Sequence, residues 1–170
     1  MNYGRLRRRV IVAIAIATAF EGLRAGAGTF RMVLDLPARK RIGPLAFTEF
    51  SRAMDLSTTG IMFYVLFGFG GALVTGVAWL VAARGGAPRV IRRLLATAAV
   101  ASLLVLILTT QAAPLIWRVG SASSDPALIS SLLDRFTTWT ALRVVCADVS
   151  FLAVLSALTL AARRSATAVA

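Results

Sequence analysis

The chain has no histidine and a single cysteine, Cys146. The first absence rules out a histidine-ligated haem, a Glu-x-x-His di-iron site and a histidine-based catalytic triad supplied by this chain. The second rules out an internal disulfide, a CxxC redox pair and a cysteine-based zinc site. No metal and no cofactor is therefore expected. Acids are scarce too, with 7 Asp and Glu against 19 Lys and Arg, a formal net charge of +12. Such a balance raises the question of nucleic acid. The basic residues, however, cluster beside apolar runs instead of along one soluble face, which fits membrane orientation and no nucleic-acid partner.

What is present is apolar. Hydrophobic residues make up 58% of the 170, and the mean hydropathy of +0.80 is too high for an ordinary soluble domain. Four runs are long enough to cross a bilayer, at about residues 10–36, 60–83, 94–116 and 141–162. The expected fold is all-α, an integral membrane four-helix bundle in one domain over 1–170, with the lipid bilayer as its first partner. Arg5, Arg7, Arg8 and Arg9 precede span one, Arg84, Arg89, Arg92 and Arg93 fill the link between spans two and three, and Arg163 and Arg164 follow span four. The positive-inside rule then puts both termini and that link on the cytoplasmic side of a multi-pass cell-membrane protein, against the opposing pull of Arg39, Lys40 and Arg41. Arg5 to Ala19 also has the layout of a signal peptide with an A-x-A site at Ala17 to Ala19; apolar character resumes through Ala25 to Leu36, which favours an uncleaved span.

Span one carries the unusual chemistry. Val10 to Phe20 is purely apolar but too short to cross a hydrocarbon core that needs about 20 residues in a helix, so the span must continue through Glu21 and Arg24. At 100° per residue Glu21, Arg24, Gly28, Arg31 and Asp35 fall within roughly 80° of one helix face. Charges near a bilayer centre cost at least about 2.5–3.5 kcal/mol each, so this stripe should point into the bundle. Arg31 and Asp35, four residues apart, read as a local pair. Gly22 and Gly26 form GxxxG on another face, suited to close helix packing within the chain or to a homo-oligomer. Pro37 is expected to end the helix.

The segment PLAFTEFSRAMDL places Phe47, Phe50 and Met54 at helical spacing against Glu49, Arg52 and Asp55, the pattern of a short interfacial helix between spans one and two. Span two follows the capping residues Ser57, Thr58 and Thr59 and presents Gly60, Tyr64, Gly68, Gly71, Thr75, Ala78 and Ala82 on one small-residue face. Span three should break at Pro114, its end anchored by Trp117 and Arg118, with Ser102, Thr109, Thr110 and Gln111 its polar side chains. A short helix over Ala127 to Arg135 should feed span four. There Phe136, Trp139, Arg143, Cys146 and Ser150 share a face, and Asp148 turns roughly 140° away from Arg143.

At 1.5 Å per residue Glu21 lies roughly 18 Å and Arg24 roughly 22 Å above Arg9, and Asp148 roughly 22 Å above Arg163. Gln111, Tyr64 and Arg143 lie roughly 27–30 Å above the basic ends of their own spans. All four spans thus place polar groups in the outer half. One expectation is a pocket built from Glu21, Arg24, Tyr64, Gln111, Arg143 and Asp148, roofed by Phe47, Phe50 and Trp139, for a small hydrophobic ligand. The other is a set of structural ion pairs, Arg24 with Asp148 and Glu21 with Arg143, fixing helix register in a subunit of a larger membrane complex. A transporter is weaker, because four spans without detectable inverted repeats would need oligomerisation to form a pathway.

The first span running into GTFRMVLDLP, then FTEFSRAM, TQAAPLIW and FTTWTALR, resembles a family of small four-span membrane proteins, mostly of unknown function, that includes the fungal anthrone oxygenases. The resemblance aligns Trp139 and Arg143 with that family's tryptophan and arginine at the start of the last helix. It implies oxygenation of a polycyclic phenolic substrate without a metal or flavin. Glu21 or Asp148 would then be the base and Arg24 or Arg143 would hold the anion.

Overall fold

The computed structural model describes residues 3–122 and 125–166, and no strand occurs among them. Helix α1 (Tyr3–Phe30) passes through a π-helical turn (Arg31–Asp35) into α2 (Leu36–Ile42). Helix α3 (Pro44–Met54) follows, and then α4 (Thr58–Arg84), α5 (Arg89–Ser121) and α6 (Pro126–Ala166). Four stretches, Arg8–Ile42, Thr58–Arg84, Arg89–Ser121 and Pro126–Arg164, are long and apolar enough to cross a membrane.

The four long helices form an antiparallel bundle in which α1 and α5 each lie between α4 and α6. Spans one and four are therefore neighbours. One apolar layer joins the start of α1 (Val10, Ile14), the end of α4 (Ala78, Ala82), the start of α5 (Ile91, Leu95) and the end of α6 (Val154, Ala157). The basic ends of all four helices thus gather on one side of the molecule. A second layer at the opposite, distal end packs Leu36 of α2 and Phe47 of α3 against α5 (Leu115, Val119) and α6 (Ile129, Leu133).

Three helices run further than their sequences suggest. Pro37 does not end the first helix; it sits in the first turn of α2, where a missing N–H costs nothing. The π turn immediately before it, closed by the Leu36 N–H on the Arg31 carbonyl, lets the chain pass the proline ring without a break. Pro114 lies inside α5, held there by buried neighbours Ala112, Leu115 and Ile116. Ala127 to Arg135 is no separate helix: α6 runs unbroken for 41 residues, about 60 Å at 1.5 Å per residue. Its start is fixed by Asp125, whose carboxylate accepts from the Ala127 N–H at 2.9 Å. The sequence GSASSDP from Gly120 to Pro126 reads as a loop, but Gly120 and Ser121 still belong to α5, and residues 123 and 124 lie outside the described residues.

The small-residue face of α4 behaves as its spacing predicts. Gly68, Gly71, Thr75, Ala78 and Ala82 are its buried residues, and the Ser57 hydroxyl caps the helix by accepting from the Gly60 N–H at 3.0 Å. Gly22 packs against the Phe151 ring of α6, so this half of the GxxxG pair serves packing within the chain, while Gly26 faces open space. At the distal end α2 and α3 are tied down by polar contacts. Arg39 pairs with Asp134 of α6, and Arg52 donates from Nε to the Gly120 carbonyl of α5 at 2.8 Å.

Candidate functional site

Charged side chains inside the bundle form two tiers. In the lower one Glu21, fully buried, accepts from Arg24 Nη2 at 2.5 Å and from Ser102 Oγ of α5 at 3.2 Å. Ser150 of α6 donates to the Ala98 carbonyl at 3.1 Å beside it. The glycine at position 71 makes room for this pair: a Cβ there would strike the Arg24 guanidinium and come within 2.9 Å of Glu21 Oε1. Glu21 and Arg24 thus satisfy each other along α1, and neither bonds to Arg143 or Asp148. The reason is spacing, since residues three apart on a helix are already adjacent.

The upper tier joins three elements. Arg31, on the π turn, donates from Nη2 to Asp55 Oδ2 at 2.5 Å and from Nη1 to Oδ1, and Nη1 also reaches the Tyr64 hydroxyl. Tyr64 donates to Asp55 Oδ1 at 2.9 Å. The guanidinium carbon stands 5.4 Å from the Phe136 ring centre and 5.8 Å from that of Tyr64, so aromatic faces from α4 and α6 complete its shell. The expected Arg31–Asp35 pair gives way to this bidentate one. Asp55, read from the sequence as part of a polar outer face, is only 3% exposed.

Between the tiers lies a cavity of about 1110 Å³ bounded by all four long helices and the end of α3. Its wall is mostly apolar, with Phe50, Phe63, Phe67 and Ile116 among the larger side chains. The charged groups on it are Arg24, Arg31, Arg143, Asp35 and Asp55. Arg143 differs from the other two arginines. It has no ion pair or hydrogen bond among the described residues, and its Nε is buried without an acceptor. No carboxylate lies within ion-pairing distance of it among the described residues. Thr140, one turn earlier on α6, also lines the cavity, and its buried hydroxyl has no partner.

Of the residues expected in a pocket, Arg24, Tyr64, Arg143 and Phe50 line the cavity. Glu21 stands behind the wall. Gln111 is exposed on the outer side of α5 and bonds weakly to its neighbour Thr110 at 3.5 Å, because the inward side of that helix is set by Ala112, Leu115 and Ile116. Trp139 packs on the distal apolar layer and Phe47 is part of it, so neither roofs the cavity. Asp148 faces α1, where its carboxylate accepts from Thr29 Oγ1 at 3.4 Å. Asp55, Asp35 and Thr140 also belong to the wall; spacing puts Asp35 on the inward stripe and Asp55 on the polar side of the interfacial helix, and Thr140 has no signal in the sequence.

No protein-family model, curated protein or solved structure matches the chain. Among the described residues no group of three or more Cys, Asp or Glu is placed to hold a metal ion. The arrangement offers a large apolar space with guanidinium and hydroxyl donors on its wall, suited to holding an apolar molecule by an oxygen it carries.

Proposed function

We propose that this chain is a multi-pass protein of the cell membrane, both termini and the α4–α5 link cytoplasmic, that binds a small hydrophobic molecule in the cavity and holds its polar end on Arg143. Membrane placement is supported by the distribution of apolar surface. Large hydrophobic side chains stand outward on every long helix, among them Ile16, Met62, Leu73, Val100 and Leu152, while charges are turned inward. A soluble monomer rarely carries such a surface. The cytoplasmic assignment rests on the gathering of the basic helix ends at one side.

The observation that carries the binding function is the Arg143 guanidinium on a mostly apolar wall with no partner within the chain. Arg143 is half-buried; a charge against an apolar wall without a counter-group is unfavourable, and a ligand acceptor relieves that cost. The test is purification in a native-lipid disc followed by mass spectrometry of released small molecules. A hydrophobic compound retained by the natural protein should be lost from Arg143→Ala and kept by Asp148→Asn, whose side chain lies outside the cavity. Equal retention by all three would reject the site.

The anthrone-type oxygenase is a narrower form of this reading, since it adds a base that must face the substrate. Glu21 is closed off by Arg24 and Ser102, and Asp148 lies off the wall. Asp35, the wall carboxylate outside any ion pair, is the group to test for it. A different reading, an accessory subunit of a membrane complex, is favoured by the two pairs Glu21–Arg24 and Arg31–Asp55, which close within the chain as structural ion pairs do. Recovery of a protein partner in fixed ratio with no retained small molecule would select it.

A further inference from the structure

Resting on the ligand-binding reading above, we propose that the occupant of the cavity is an anionic amphiphile: an apolar body ending in one acidic head, seated on Arg143. Arg24 spends Nη2 on Glu21, which leaves Nε and Nη1 buried and without acceptors. Arg143 differs: only its Nε is closed off, and its two terminal nitrogens, without an ion pair or hydrogen bond among the described residues, stand open at the wall. Arg24 Nε and Nη1 and Thr140 Oγ1 are shut off from the cavity as well as from bulk water and are not available to a ligand head.

Hydrogen-bonding capacity separates the head groups that fit. Guanidiniums donate and cannot accept, so the Arg143 seat offers a head group donors only. An alcohol or phenol head brings one oxygen and adds another donor. A carboxylate brings two oxygens and no donor, in the planar geometry that a guanidinium fork matches. Charge points the same way. Arg24 and Arg31 each have a bonded carboxylate, Glu21 and Asp55, and Arg143 has none. Asp35 is also on the wall, but it forms no ion pair with Arg143. Water entering the cavity can accept hydrogen bonds, yet it brings no counter-charge.

The rest of the space sets the body. At about 1110 Å³ the cavity exceeds the roughly 300–1,000 Å³ of ordinary small-molecule pockets, far more than a bare acid head needs. Beyond the arginines its lining is mostly aromatic and aliphatic, with Asp35, Asp55 and a few hydroxyls as the other polar groups, and this stabilises a long apolar chain or fused rings better than a hydrophilic body.

The experiment uses the full chain in discs of zwitterionic lipid, with empty discs as blank, and three probes: oleate, oleyl alcohol and acetate, at a pH where the acids are ionised. Oleate should bind at least about tenfold more tightly than the alcohol of the same chain, the usual range for a hydrogen bond to a charged group. Acetate should show no saturable binding. Arg143→Gln should bring oleate and the alcohol to within about twofold of each other, Arg143→Lys should restore part of the preference, and Arg84→Gln at the exposed basic end should leave it unchanged. Equal binding of oleate and the alcohol to the natural protein overturns the acidic head while leaving the hydrophobic site standing. A preference that survives Arg143→Gln overturns the seat, and acetate binding as tightly as oleate overturns the apolar body. Failure of both long-chain probes to bind overturns this proposal together with the reading it rests on.

Discussion

Arg31 and Asp55 face each other through two parallel hydrogen bonds, one residue on the π turn of the first span and the other just past the end of α3. The pair fixes where α3 lies and, through Tyr64, where α4 begins. Removing one member of a buried pair leaves the other uncompensated, at about 3–5 kcal/mol, whereas losing a single neutral hydroxyl costs about 1 kcal/mol. Asp55→Asn should therefore destabilise the protein several-fold more than Tyr64→Phe. Unfolding of both variants by graded denaturing detergent checks this; equal effects would mean that the carboxylate charge is immaterial.

Gly71 and Gly76 lie on the same helix and should respond oppositely to alanine. A Cβ at position 71 would collide with the Arg24 guanidinium, which Glu21 holds in place, while at position 76 nothing lies within 4 Å. Overpacking of a tight site costs about 1–3 kcal/mol, so Gly71→Ala should lower the thermal midpoint. Gly76→Ala should be neutral or stabilising by up to about 1 kcal/mol, since glycine is the poorer helix former. Thermal unfolding of the two variants side by side separates the local clash from a general effect of adding methyl groups to α4.

Much of this architecture was legible in residue spacing. The small residues of α4 pointed inward as their period indicated, and the charged stripe of α1 did so because no other placement is tolerable in an apolar surround. What spacing hid was partner choice. Arg31 and Asp35 were read as neighbours by projecting a straight helix, but the π turn between them changes the angle per residue, and Arg31 turns to a carboxylate two elements away. Arg24 was matched by height with Asp148 of α6 and Glu21 was assigned to Arg143, although each already had a partner one turn along its own helix. Gln111 was placed by depth alone, and depth says nothing about which side of α5 it occupies. Prolines 37 and 114 misled for a related reason: a proline weakens a helix locally, and a first-turn position or buried neighbours suffice to carry the chain through.

Ser57 is predicted to hold the first turn of α4 against the end of α3. Its hydroxyl accepts from Gly60 N–H at 3.0 Å and donates to the Met54 carbonyl at 2.9 Å, so it caps one helix while satisfying the end of another. Ser57→Ala should cost about 1 kcal/mol, within the usual range for a lost cap. Hydrogen exchange should quicken at residues 58–61 and stay unchanged in the middle of α4. Faster exchange along the whole helix would instead mean that the cap governs the packing of α4 as a unit.

Glu21 and Ser102 lie one behind the other, and their substitutions should differ in kind. Ser102→Ala removes one of the two hydrogen bonds to the carboxylate and should cost about 1 kcal/mol, with ligand binding unchanged. Glu21→Gln removes the counter-charge from Arg24, whose Nη1 and Nε are already buried without acceptors. Folding should weaken by about 3–5 kcal/mol, as for any buried pair that loses a member. The same change leaves a second uncompensated guanidinium on the wall beside Arg143, so the variant should bind oleate more tightly than the natural protein relative to oleyl alcohol. Loss of stability with gain of acid preference is a combination that a purely structural role for Glu21 does not produce, and equilibrium binding in lipid discs at matched protein concentration measures it directly.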